Sequence, residues 1–155
     1  MYDHWNLDAL YKGYDDEKFI SDYEKLGVLT QKTEDLSKKA GQTDDLSFIR
    51  DYLLLAEESE ETFFKLICFA MLKQSVNSKD EEAASYIGRI MSKMSASAAP
   101  DSIMRKYIGN IANLDELIER DPLLSEYSYF LKRQKENAAH LLHGGEEEIL
   151  AKYDI

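Results

Sequence analysis

The sequence predicts an all-α fold, and three observations carry that prediction. Apolar residues recur at steps of three, four and seven along nearly the whole chain, the signature of one helix face turned to a core. Only two prolines and seven glycines interrupt 155 residues, so long helices are permitted. No stretch alternates polar and apolar residues long enough to make a sheet. The expected architecture is one domain over residues 1–155, with six or seven helices arranged like an antiparallel bundle.

The elements follow in order. Between Gly13-Tyr14-Asp15 and Gly41, the residues Phe19, Tyr23, Leu26, Leu29, Leu36 and Ala40 form one stripe. Asp15 or Asp16 caps the start by accepting from free backbone N–H groups, and Gly41 suits a left-handed stop. Thr43-Asp44-Asp45 restarts the chain with a capping hydroxyl and two acids near the positive helix end. The next run, Leu46, Ile49, Leu53, Ala56, Phe63, Ile67 and Ala70, is interrupted only by Glu60. Leu54, Phe64, Cys68 and Met71 widen it, so this helix is expected to be central and contacted on more than one side. Ser78 with Glu81 reads as a capping box for a helix through Ala83, Ile87, Ile90 or Met91, Met94 and Ala98. Pro100 stops that helix and opens another through Ile103, Tyr107 and Ile111. Asn113 to Arg120 makes a short helix. Asp121-Pro122 reads as cap plus first-turn proline for a run through Tyr127, Phe130, Leu131 and Gln134. Gly144-Gly145 ends the regular part, and Glu146 to Tyr153 could form one more short helix.

Composition narrows the function. Hydrophobic residues at 44% and charged ones at 32% fit a globular chain rather than a disordered tail. Thirty acidic against nineteen basic residues leave a net charge of −11, which repels phosphate backbones and anionic lipid. Nucleic acid and membrane surfaces are therefore not expected partners. The apolar runs are broken by charges such as Lys65 and Lys73, so none spans a bilayer, and the N-terminus carries no signal-like segment. The single cysteine, Cys68, has no intrachain disulfide partner. Its apolar neighbours predict a buried, inert thiol, and a reducing cytoplasm is the natural compartment.

Three segments read in order carry a family resemblance: Trp5-Asn6-Leu7-Asp8-Ala9-Leu10-Tyr11, the helix junction from Phe69 to Ala83, and Ala139-His140-Leu141-Leu142-His143-Gly144-Gly145-Glu146-Glu147-Glu148. The succession resembles the N-terminal helical domain of the oligoendopeptidase F family of zinc metallopeptidases. That domain has a W-x-L-x-x-L-Y opening, a long helical hairpin and a P-H-x-L-S-E-E-E-E segment. His140 and Leu142 match the last pattern, while Ala139 and His143-Gly144-Gly145 depart from it. The resemblance implies a lobe that walls the channel in which a parent enzyme cleaves short peptides. Its expected partners are the parent's catalytic domain and those peptides, with self-association when the lobe is isolated. The resemblance puts zinc in the parent's catalytic domain, at an H-E-x-x-H motif that this chain lacks. A stand-alone helical adaptor for a partner helix or protein is the alternative.

The candidate chemistry within the chain is thin. His140 and His143, spaced i, i+3 and followed by Glu146, Glu147 and Glu148, could face one metal, but Gly144-Gly145 breaks the helix between the His and Glu groups. We expect a structural or surface role for them. His4 beside Trp5 is expected to pack an N-terminal strap. Tyr11, Tyr23, Tyr52, Tyr86, Tyr107, Tyr127 and Tyr129 could line a peptide groove, though helical spacing assigns most to half-buried faces. Glu57-Glu58 and Glu60-Glu61 fall on an exposed face, where no dry cleft makes an acid–base pair of them. No catalytic, cofactor-binding or metal-binding residue is expected in this chain.

Overall fold

Residues 7–139 are described by a computed structural model, and among them every regular element is helical. The order is α1 (Glu17–Ser37), α2 (Asp45–Val76), α3 (Glu81–Ala96), α4 (Ala98–Gly109), α5 (Leu114–Arg120) and α6 (Pro122–Glu126), followed by a helical stretch over 128–139. The chain divides into two compact units. One comprises residues up to Asp35 together with Leu54–Ala99, the other Leu36–Leu53 together with residues from Pro100 onward. The divisions fall within α1 and α2 and in the first turn of α4, so these helices contribute to both units.

Caps set most of the helix starts. Asp16 opens α1: its carboxylate accepts from the Lys18 N–H at 2.9 Å and the Lys12 N–H at 2.8 Å. Asp44 performs the same task for α2, accepting from Leu46 and Ser47, so a carboxylate takes the role expected of the Thr43 hydroxyl. The cap of α3 is Asp80, which accepts from the Ala83 N–H at 2.9 Å. The Ser78–Glu81 capping box is therefore displaced by two residues, because the turn through Asn77 delays the helix. The break before α4 comes at Ser97 rather than Pro100. Pro100 sits in the first turn of α4, where its missing N–H costs nothing. Gly41 is left-handed as expected, at φ +73°, but α1 already ends at Ser37, so this glycine belongs to the turns that follow the helix and does not stop it.

The first unit is built around aromatic rings. Tyr11, Tyr14, Phe19 and Phe69 are buried with Leu26, Leu66, Ile67, Ala70, Ala83 and Ile90. Phe69 meets Tyr11 at 5.3 Å, Tyr14 at 5.4 Å and Phe19 at 5.7 Å between ring centroids. Edge-to-face contacts dominate, as ring quadrupoles favour, with Tyr86 stacked on Tyr14 at 4.5 Å. Burial first, then the neighbouring acids Asp80 and Glu82, push the Tyr14 hydroxyl up to about 12. Polar ties join the helices: the Lys93 ammonium lies 4.7 Å from the Tyr23 ring centre, and Lys25 pairs with Glu58 at 2.8 Å.

α2 buries one face, not most of its circumference. Ile49, Leu53, Leu66, Ile67, Phe69 and Ala70 point inward, whereas Leu54, Phe64, Cys68 and Met71 are exposed, correcting the expectation of contact on several sides. Cys68 follows two buried residues but is turned about 100° from its predecessor, so its apolar neighbourhood in sequence is not its neighbourhood in space.

In the second unit the buried face of α4 runs through Met104, Ile108 and Gly109, while Ile103 is exposed. This shifts the expected stripe by one residue. Gly109 comes close to the stretch 128–139. A Cβ there would stand 2.5 Å from the Gln134 carbonyl oxygen and 2.9 Å from the Ala138 Cβ. The Asp121-Pro122 start is as expected, but the helix it opens ends at Glu126, and Tyr127 is a turn before helical structure resumes.

Candidate functional site

The described part of the second unit holds a linked group of polar side chains. One turn of α4 places Asp101 and Arg105 on the same side, and the Arg105 Nε stands 2.6 Å from Asp101 Oδ2. That approach is an ion pair without hydrogen-bond alignment, since the buried Nε has no hydrogen-bond partner. Tyr52, from α2, donates its hydroxyl to Asp101 Oδ1 at 2.9 Å. Phe130 completes the group, stacked on Tyr52 at 6.3 Å and lying 5.4 Å beneath the Arg105 guanidinium. Burial, followed by the Asp101 charge, raises the Tyr52 phenol well above its ordinary range. Tyr52 is thus held as a neutral donor, unsuited to act as a base.

Beside this group lies a depression of about 380 Å³ lined by Asp101, Ser102, Arg105, Lys106, Gln134, Asn137 and Ala138. Two cations, two amides and a hydroxyl can hydrogen-bond a peptide backbone or a carboxylate. Asp101 is already engaged by Tyr52 and Arg105, so the lining offers recognition rather than an activated nucleophile. The sequence reading missed this grouping. The i, i+4 pair Asp101–Arg105 was the available signal, but nothing local indicated Tyr52 or Phe130 as its neighbours.

Asp121 joins the start of α6 to α2. It is buried, its Oδ1 accepts from Leu123 at 2.9 Å and Leu124 at 3.2 Å, and its Oδ2 accepts from the Arg50 guanidinium. Burial pushes its pKa up, but the Leu124 N–H, Arg50 and the Leu123 N–H together hold it below the usual carboxylate value. Because the folded pKa is the lower one, the stabilisation is present above the unfolded value of about 3.9 and disappears as pH falls through the folded value. Asp121→Asn keeps a capping oxygen and removes the charge. The variant should melt several degrees below the parent at pH 7, and the gap should narrow as the pH falls below the unfolded value of about 3.9. A gap that does not change with pH in paired thermal melts would show that the charge is irrelevant.

The other sequence candidates do not converge. Tyr11, Tyr14 and Tyr52 are buried, Tyr23, Tyr86, Tyr107 and Tyr127 are half-buried, and Tyr129 is exposed, so most sit on the buried or half-buried faces that their spacing assigns them. Glu58 is held ionised by Lys25 and Glu61 by Lys65, both below the usual carboxylate range. His4, Trp5, His140, His143 and Glu146 to Glu148 lie outside the described residues, as does the Glu146–Tyr153 helix. Among the described residues no group of three or more His, Cys, Asp or Glu side chains is placed to hold a metal. None of their helices is long and apolar enough to cross a membrane.

Comparison with known proteins adds one finding. The family model described as Oligopeptidase F, of a peptidase N-terminal region, matches residues 110–154. The match takes in α5, α6 and the stretch 128–139, so the resemblance noted from Trp5 to Ala151 is supported over its C-terminal part. No curated protein and no solved structure matches the chain.

Proposed function

We propose that this chain is a non-catalytic helical lobe of an oligopeptidase F-like zinc peptidase, and that it walls the channel in which the rest of that enzyme hydrolyses short peptides. The observation that carries the reading is the match of residues 110–154 to Oligopeptidase F. The zinc belongs to the catalytic part, where it would supply Lewis-acid activation of the peptide carbonyl and of water. The described residues offer it no site. The lobe contributes by positioning substrate and excluding water, which raise rate and selectivity without a reacting group. Its −11 charge favours the cationic N-terminus or basic side chains of an entering peptide, by an amount that salt reduces. The cytoplasm suits such an enzyme and the unpaired Cys68.

The test compares the peptidase carrying this lobe with the same enzyme lacking residues 1–155. The truncated form should keep its zinc while kcat/KM for a quenched fluorogenic peptide falls by about tenfold or more. Unchanged kinetics would remove the channel-wall role. A second reading, a stand-alone adaptor for a partner helix or protein, is favoured by the outward apolar face of α2. A coding sequence that ends after Ile155, with no H-E-x-x-H downstream, would put that reading ahead.

A further inference from the structure

The depression in the second unit is lined by polar groups that the fold leaves without partners. Asp101, Ser102, Arg105 and Lys106 share one face of α4, while Gln134, Asn137 and Ala138 share one face of the stretch 128–139. All of them belong to the second unit. The close approach of Gly109 to the Gln134 carbonyl holds the two faces against each other, so backbone packing shapes the depression.

Gln134 sets this depression apart from an ordinary surface dip. Its exposure is only 9%, yet its side-chain amide has no hydrogen-bond partner among the described residues. A buried amide is costly to keep in that state unless a ligand completes it. The Arg105 Nε is a second buried donor without a partner. The Asp101 charge and the Phe130 ring hold that guanidinium in place, while 41% of the side chain stays exposed. Lys106 has no ion-pair partner among the described residues, and the Asn137 amide no hydrogen bond. Two cations against one engaged acid make the lining positive, in a chain of net charge −11.

We infer that the depression binds the free C-terminus of a peptide, with the carboxylate going to Arg105 and Lys106 and the last amide group to Gln134 and Asn137. A guanidinium presents paired N–H donors to a carboxylate. A carboxamide side chain, with a donor and an acceptor, matches a peptide N–H and C=O together. Inorganic phosphate fits worse, because it offers mainly acceptors to the amide oxygens and sets its second charge beside Asp101. A volume of about 380 Å³ suits a small ligand rather than a folded partner. The inference does not rest on the peptidase reading, since it concerns what this chain binds by itself.

The probe is N-acetyl-trialanine with a free carboxylate, titrated into the isotope-labelled full chain. The side-chain amide signals of Gln134 and Asn137 should shift in heteronuclear NMR spectra, with half-saturation at roughly 1 mM or below. The same peptide with an amidated C-terminus should bind about tenfold or more weaker. These two titrations use the unaltered chain and remain decisive if a variant fails to fold. Gln134→Leu should lose about tenfold in affinity yet melt no lower than the parent, because an unpartnered amide gives way to an apolar group of similar size. A glutamine serving the fold alone would lower the melt instead. Lys106→Gln, at an exposed position, should weaken binding several-fold and leave the melt unchanged. A carrier protein ending in the same three residues separates the two sources of such a terminus: binding extends the site to protein tails, and its loss confines the site to free peptides, the site standing in both cases. No shift up to about 10 mM peptide, equal binding of the amidated form, displacement by equimolar inorganic phosphate, or parent-like affinity in both variants overturns the proposal.

Discussion

Leu53→Asp and Ile67→Asp should each abolish the cooperative unfolding transition. Both side chains are buried on α2, Leu53 in one unit and Ile67 in the other. An aspartate there either buries an unpaired charge or takes up a proton and remains an unsatisfied polar group. Either outcome costs upward of about 4 kcal/mol, against a total stability of about 5–15 kcal/mol for a domain of this kind. Ile103→Asp, at an exposed position of α4, is the matched control and should melt like the parent. Thermal melts followed by circular dichroism decide the matter. Parent-like melting of both α2 variants would mean that the core is misplaced.

Phe69→Ala should be nearly as damaging. The ring is fully buried and touches Tyr11, Tyr14 and Phe19 within 6 Å between centroids. Removing it deletes the centre of the aromatic cluster and leaves a cavity that three stiff rings cannot collapse to fill. A loss of about 3–5 kcal/mol is expected in denaturant unfolding. Phe64→Ala, five residues earlier on the solvent side, should cost under about 1 kcal/mol at protein concentrations where the chain is monomeric. Equal losses at the two positions would contradict the one-sided burial of α2.

The helical class and most helix boundaries were legible because they are local. Periodicity, the aspartate before Pro122 and the left-handed Gly41 each act within one or two turns. The misread starts have a common cause. At Thr43-Asp44 and Ser78-Lys79-Asp80 two capping side chains compete, and in both places the carboxylate beat the hydroxyl, as the positive end of a helix favours. The face of α2 was misjudged for a different reason. Apolar identity was read as burial, yet Phe64 and Met71 are as apolar as Phe69 and Ala70 and lie on the other side. The candidate site was least legible, because Tyr52, Asp101, Arg105 and Phe130 meet only through tertiary structure. Their separations of up to 78 residues leave no periodic trace.

The close approach at Gly109 has an evolutionary corollary. The Gln134 carbonyl oxygen occupies the space that any side chain's first carbon would need, and a backbone atom does not swing aside as a flexible side chain does. Its φ is not positive, so glycine is required there for thinness and not for an unusual turn. Drift at this position is barred one way: even the smallest replacement must first wait for the stretch 128–139 to move outward. Lineages that keep the fold should therefore inherit this glycine together with a small residue at 138, as a coupled pair separated by almost thirty positions.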